Sequence, residues 1–266
     1  MSTVIVPLDR SGLGRRALRV ANLVARNTDR DVVLMAVTTT SSAETDDRRL
    51  QEAAAELDVA TSTVLVARTE VGSVADGIVR AVAAAGSDPL VCIASHGRGG
   101  LGAGLLGSTT EDLLACHDGP VLVVGPHCSA DWPAQRRMVV PLDGSERVEQ
   151  ILPQAAGLAS DWGLETWLLQ VVHPLDTETL ARVDEGLTRA RQRMVDLGVD
   201  AKVETRFSSD VSRQICQEAE VVGASVIVMS TFQHPGMNRI MLGSVTMDVV
   251  HGAPCPVLVM PAAPAE

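Results

Sequence analysis

The apolar positions of this chain fall in short β-branched and aliphatic runs, separated by longer stretches of helical period. In the first half the runs predict strands at Thr3–Pro7, Val32–Val37, Ser62–Val66, Leu90–Ile93 and Val121–Val124. Between them the periodicity predicts helices over Gly12–Arg26, Ala43–Leu57, Ser73–Ala85 and Thr109–His117. The second half predicts strands at Met138–Pro141, Thr166–Val172, Ala201–Phe207, Val226–Met229 and Val257–Met260. Its helices are expected at Arg147–Ser160, Thr177–Leu197, Val211–Val222 and Val245–His251. Short apolar strands alternating with helices are the signature of βα units, whose parallel strands are covered on both faces. The fold class that follows is α/β. Gly119-Pro120 and Cys255-Pro256 punctuate the approach to the last strand of each half.

The two halves repeat one another in wording as well as in pattern. Val6-Pro-Leu-Asp9-Arg-Ser11 returns as Val140-Pro-Leu-Asp143-Gly-Ser145, and Gly119-Pro-Val-Leu-Val-Val124 as Cys255-Pro-Val-Leu-Val-Met260. The stretch from Ala94 to Thr109, dense in glycine, has its counterpart in the stretch from Ser230 to Ser244. Asp9 to Asp143 is a step of 134 residues, and Gly107 to Gly243 a step of 136. A step of that size is duplication of a whole domain, since a solenoid has a much shorter period. The expected organisation is a first domain over 1–126 and a second over 137–266, each of ordinary domain size. Residues 127–136 break both periodicities, contain Pro133 and read as the linker.

Composition narrows the classes. The 46% apolar content is ample for two cores, and 2% aromatic content leaves them to Val, Leu, Ile and Ala. A formal charge of −11 argues against a nucleic-acid partner, whose phosphates attract a positive surface. No apolar run approaches the ~20 residues of a membrane span. Asp9 and Arg10 interrupt any signal-peptide core. The five cysteines, Cys92, Cys116, Cys128, Cys216 and Cys255, include no close pair and read as reduced core residues. These features together predict a soluble cytoplasmic protein, with neither nucleic acid nor membrane as partner.

The glycine run from Gly97 to Gly107 sits between a strand's C-terminal end and a helix N-terminus. Free backbone N–H groups and the positive end of a helix dipole gather there. Glycines admit an anion close to the backbone, and Ser108 and Thr109 add hydroxyl donors. Simple N-capping is the competing role for those two residues. Gly97-Arg-Gly99-Gly-Leu-Gly102 and Gly102-Ala-Gly104-Leu-Leu-Gly107 match G-x-G-x-x-G, but both follow the fourth strand rather than the first. No lysine precedes Ser108, so neither is a Walker A loop. Asp9 and Asp143 end the first strand of each half, where a carboxylate either caps the next helix or meets a ligand. Arg98 is a candidate phosphate contact as well as an ordinary surface arginine, and His96 reads as a polar loop residue. No Ser/His/Asp order, paired carboxylate or H-E-x-x-H pattern recurs in both halves, so no catalytic or metal-ligating residue is assigned.

With the Pro-Leu-Asp opening and the Pro-Val-Leu-Val closing, these loops resemble the universal stress protein family, as two tandem copies covering essentially the whole chain. The family's signature, G-x2-G-x9-G-[ST], is met by Ala94, Gly97, Gly107 and Ser108, with alanine for the first glycine. In the second half Ser230, Gln233, Gly243 and Ser244 stand at those positions, and Pro235 intrudes. The resemblance implies, in each domain, a five-stranded parallel sheet in the order 3-2-1-4-5 with helices on both faces. The strand order then reverses at a crevice between strands 1 and 4. It further implies an adenine nucleotide as partner, ATP, with Mg²⁺ or Mn²⁺ left open. Adenine would lie near Pro7, Asp9 and Val37, and the phosphates on Ala94, Gly97, Arg98, Gly100 and Gly107 with Ser108 and Thr109. The second-half equivalents are Asp143, Val171, Gly243 and Ser244. A regulatory stress-response role is implied, with the two domains paired as a pseudo-dimer and homodimerisation as a further option. The alternatives are a dimerising interaction module without nucleotide, and a slow ATPase.

Overall fold

The computed structural model describes residues 3–9, 12–86, 89–95, 106–129, 136–145, 150–174, 180–230, 232–233, 240–241 and 243–260. The chain divides into two compact units. Unit 1 is Met1–Pro126 with Gln233–Leu242, and unit 2 is His127–Phe232 with Gly243–Glu266.

In unit 1 the strands β1 (Thr3–Pro7), β2 (Asp31–Thr38), β3 (Thr61–Ala67), β4 (Leu90–Ala94) and β5 (Val121–Val124) alternate with α1 (Gly12–Thr28), α2 (Ala43–Ala54), α3 (Val74–Ala84) and α4 (Ser108–Cys116). A short 3₁₀ turn, Arg68–Glu70, precedes α3. All pairings are parallel, in the order β3-β2-β1-β4-β5. Val4, Ile5, Val6, Val91, Cys92 and Val121–Val124 are fully buried, which is why these strands read as unbroken apolar runs. Ser73 opens α3 with a capping box, accepting from the Asp76 N–H while the Asp76 carboxylate accepts from the Ser73 N–H.

Unit 2 has the same topology. Strands β6 (Arg137–Leu142), β7 (Glu165–Val172), β8 (Ala201–Phe207), β9 (Val226–Ser230) and β12 (Val257–Met260) pair in parallel in the order β8-β7-β6-β9-β12. Its helices are α5 (Leu152–Trp162), α6 (Leu180–Asp196), α7 (Val211–Val222) and α8 (Ser244–Gly252). Outside that sheet, two short strands, β10 (Phe232–Gln233) and β11 (Ile240–Met241, within the Gln233–Leu242 segment of unit 1), pair with each other. Helix α5 runs from Leu152 with a proline in its first turn, and the predicted start at Arg147 lies outside the described residues. Proline there gives up an N–H that has no intrahelical partner in any case. The predicted start of α6 at Thr177 lies outside the described residues. In both units the strand order is the predicted 3-2-1-4-5, and it reverses next to the first strand.

Candidate functional site

In unit 1 the reversal falls between β1 and β4, so the chain leaves the sheet in opposite directions there and opens a crevice at the strands' C-terminal ends. Pro7 is the last residue of β1, and Asp9 follows it exposed. The Asp9 carboxylate stands over the first turn of α1, where a Cβ on Gly14 would lie 3.2 Å from Oδ1. Val37 is the penultimate residue of β2, half-buried, and Ala94 ends β4.

After Ala94 the chain departs and returns. Ser95, fully buried, accepts from the Gly107 N–H at 2.6 Å and donates its own N–H to the Val124 carbonyl at 3.0 Å. These two bonds join the two ends of the glycine-rich segment at the base of the crevice. Gly97, Arg98 and Gly100, together with His96, lie outside the described residues. Gly107 is the N-cap of α4, and the helix starts at Ser108, exposed, and Thr109, half-buried. Thr110, buried, donates its hydroxyl to the Ala94 carbonyl at 3.1 Å and so ties the first turn of α4 to the end of β4.

The first turn of α4 carries no side-chain cap, because its N-cap residue has no side chain. Helices α3 and α7 differ: Ser73 and Asp210 accept from N–H groups of their first turns. The first N–H groups of a helix have no intrahelical acceptor. At α4 the Thr110 N–H donates to the Gly107 carbonyl at 2.9 Å, which leaves those of Ser108 and Thr109 at the positive end of the dipole, an arrangement suited to an anion. Gly107 has φ −63° and ψ 142°, angles that any residue adopts, so the backbone itself does not require glycine there.

Unit 2 repeats the frame with different contents. Asp143 follows β6 exposed, and its Oδ1 accepts from the Ser145 N–H at 2.8 Å, across a turn in which Gly144 has φ +78°. Gly243, the N-cap of α8, has φ −63° and ψ 151°, and no side chain caps the helix. A Cβ on Gly243 would meet nothing within 4 Å. Ser244, the first residue of α8, is exposed, and Val171 is half-buried near the end of β7. Gln233, which stands where unit 1 has Gly97, belongs to strand β10.

Three features went unread in the sequence. Thr110 has a buried counterpart in Thr246, again 136 residues on, and that recurrence was the available signal. Beneath Asp9, Thr38 donates to Asp46 Oδ2 at 2.7 Å, and Arg49 lies 3.4 Å from Asp46 Oδ1. Arg49 also donates to the Leu8 carbonyl at 3.0 Å, so this buried network holds the ends of β1, β2 and α2 together. Unit 2 has Val172 in place of Thr38 and a buried amide, Gln170, in place of Ala36. Among the described residues no group of three or more His, Cys, Asp or Glu side chains converges as a metal site would, and no helix is long and apolar enough to cross a membrane.

The chain is thus two tandem doubly wound α/β units, each with a glycine-led helix and an aspartate after its first strand. Residues 1–125 and 135–261 both match the model of the universal stress protein family, and the chain belongs to that family. A universal stress protein of Methanocaldococcus jannaschii is 30% identical over 140 residues, which cover 47% of this chain and 81% of that protein. One from Mycolicibacterium smegmatis is 28% identical across 65% of this chain, a match that spans 62% of the relative's own length. The crystal structure of a universal stress protein from Archaeoglobus fulgidus superposes with a TM-score of 0.70 at 18% identity, covering 98% of both chains. Universal stress proteins have also been solved in complex with dAMP and with cAMP.

Proposed function

We propose that this chain is an adenine-nucleotide-binding regulatory protein of the stress response, which holds ATP in the crevice of unit 1. The observation that carries this reading is the glycine N-cap of α4. Its backbone angles are ordinary, and it leaves the helix uncapped at the strand switch beside Asp9. Glycine at such a position leaves room for a phosphate against bare N–H groups. The Asp9 carboxylate would accept from the ribose or base, with Pro7 and Val37 against adenine. Ala94, Gly97, Arg98, Gly100, Ser108 and Thr109 would complete the phosphate side. A divalent ion accompanying the triphosphate would take oxygens from the phosphates and from the hydroxyl of Ser108 or Thr109.

In this reading unit 2 is the weaker ATP site. Asp143, Val171, Gly243 and Ser244 remain in place, but Gln233 puts a side chain, and Pro235 removes a backbone donor, where the first loop has Gly97 and Gly99. The same replacements favour the second reading, an interaction module without nucleotide, for unit 2 alone. No side chain is assigned to hydrolysis. The two units are proposed to pair through β5 and β12, the apolar last strands of their own sheet orders, since an apolar edge left open invites aggregation. Cysteines placed on β5 and β12 that fail to cross-link within one chain would contradict that pairing. Mass spectrometry of small molecules released from freshly purified, denatured protein tests the main reading. ATP or another adenine nucleotide is expected near one equivalent per chain, and release of none from a protein that also fails to bind added ATP would refute it.

A further inference from the structure

The outer strand of unit 1 lacks the guards that edge strands usually carry. β3 is seven residues long, and it ends the order β3-β2-β1-β4-β5, so among the described residues of unit 1 it pairs with β2 alone. Its sequence, Thr-Ser-Thr-Val-Leu-Val-Ala, holds no charge and no proline. The Ala60 carbonyl accepts from the Val32 N–H at 2.9 Å, so the even-numbered residues turn their backbone groups toward β2. Backbone groups alternate sides along a strand, and those of Thr61, Thr63 and Leu65 therefore face away from the sheet. Val64, between them, is 37% exposed.

The matching strand of unit 2 is built otherwise. β8 ends its own sheet order, with Val203 and Phe207 exposed, but Lys202, Glu204 and Arg206 alternate along it. Arg206 lies 2.8 Å from Glu204 and 2.7 Å from Glu218, and Lys202 lies 3.6 Å from Glu165. Charged side chains on an edge are a usual defence against a further strand, and an uncharged edge admits one through main-chain hydrogen bonds. The two ends of β3 are also of opposite sign. Glu56 and Asp58 precede it and Arg68 follows it, all exposed, while Glu70 is taken by Arg80 at 2.8 Å.

We infer that β3 is a docking edge for a second copy of this chain, the two β3 strands pairing antiparallel about a two-fold axis. Such an isologous contact closes at two copies and leaves neither edge open. Asp58 and Arg68 each stand five residues from Thr63. The register that sets Thr63 against its own copy therefore brings Asp58 of each chain opposite the second copy's Arg68. The same register joins the outward groups of Thr61 to those of the second copy's Leu65 and sets threonine against threonine, a favourable cross-strand pair. A parallel partner would instead place like charges together. One strand pair buries a small area, so the dimer is transient, with a micromolar dissociation constant.

Sedimentation velocity of the full chain over a concentration series, paired with residue-resolved amide hydrogen exchange, tests this. A concentration-dependent dimer is expected, with exchange at Thr61, Thr63 and Leu65 slowed as the dimer fills. Val64→Lys puts a charge on the edge, and Thr63→Pro removes a donor that faces away from β2. Each should weaken the dimer at least about tenfold and leave the thermal midpoint nearly unchanged. Arg68→Asp should weaken it as well, and adding Asp58→Arg should restore it. A chain that stays monomeric throughout overturns the inference and leaves this edge to an extended peptide of another protein. A dimer that survives Val64→Lys and Thr63→Pro, or one that Asp58→Arg does not restore, overturns it too. If the variants fail to fold, exchange in the unaltered chain decides: slowing confined to β3 upholds the inference, and exchange independent of concentration overturns it.

Discussion

His117 follows α4 and is buried, with its Nε2 lacking a hydrogen-bond partner. Gly119 is glycine for its sake, since a Cβ there would lie 2.6 Å from Nε2. Burial holds the imidazole below its ordinary value, and Asp118 pulls weakly the other way. The unfolded chain titrates near 6.5 and the folded chain lower, so between those values the unfolded state binds the extra proton. The stability of the neutral ring is complete above 6.5 and is lost as pH falls from there through the folded value. The repeat places Ala253, fully buried, at this position in unit 2. His117→Ala is therefore expected to flatten the loss of stability between about pH 7.5 and about pH 5, measured by thermal unfolding. An identical slope in both proteins would remove His117 from the explanation of acid sensitivity. The cysteines are a quieter matter: all five are free thiols, and burial raises Cys216 to about 11, so it is a poor nucleophile near neutrality.

At the scale of elements, the strands were the most legible part of the sequence. Thr3–Pro7, Val121–Val124 and Val257–Met260 have the predicted bounds, because a strand buried on both faces must be apolar along its whole length, while Ala201–Phe207 has them although most of its residues are exposed or half-buried. Helix ends were less legible. The 3₁₀ turn Arg68–Glu70 carries no periodic signal, and α3 ends at Ala84 where the period ran to Ala85. Asp9, Gly107 and Ser108 stand out in the sequence as candidates because they repeat in Asp143, Gly243 and Ser244. Gln170 and the Thr38–Asp46–Arg49 network do not, because each occurs in one copy only and shows itself only through packing. The α4 junction yields a direct expectation. Gly107 has unstrained angles, so Gly107→Val should fold with little loss of stability while ATP affinity falls by well over tenfold, from two lost charge-assisted bonds at about 1.5–3 kcal/mol each. Paired thermal unfolding and calorimetry check it: normal folding with undiminished binding would take the phosphates away from α4.

At the scale of the whole molecule, one sheet plan has been written twice with unequal contents. Both units keep the strand order, the aspartate after the first strand and the glycine-led helix. Unit 1 adds an ion pair between buried Asp46 and half-buried Arg49, which also donates to the Leu8 carbonyl. Unit 2 has Gln170 in place of Ala36, and Pro235 in the second loop sequence. On the proposed reading, duplication followed by divergence of the loop leaves one triphosphate site, in unit 1. The most direct test of that claim is calorimetric titration of the whole chain with ATP. One strong site per chain is expected, abolished by Asp9→Ala and spared by Asp143→Ala. Two equal sites, or a single site that survives Asp9→Ala and disappears with Asp143→Ala, would contradict it.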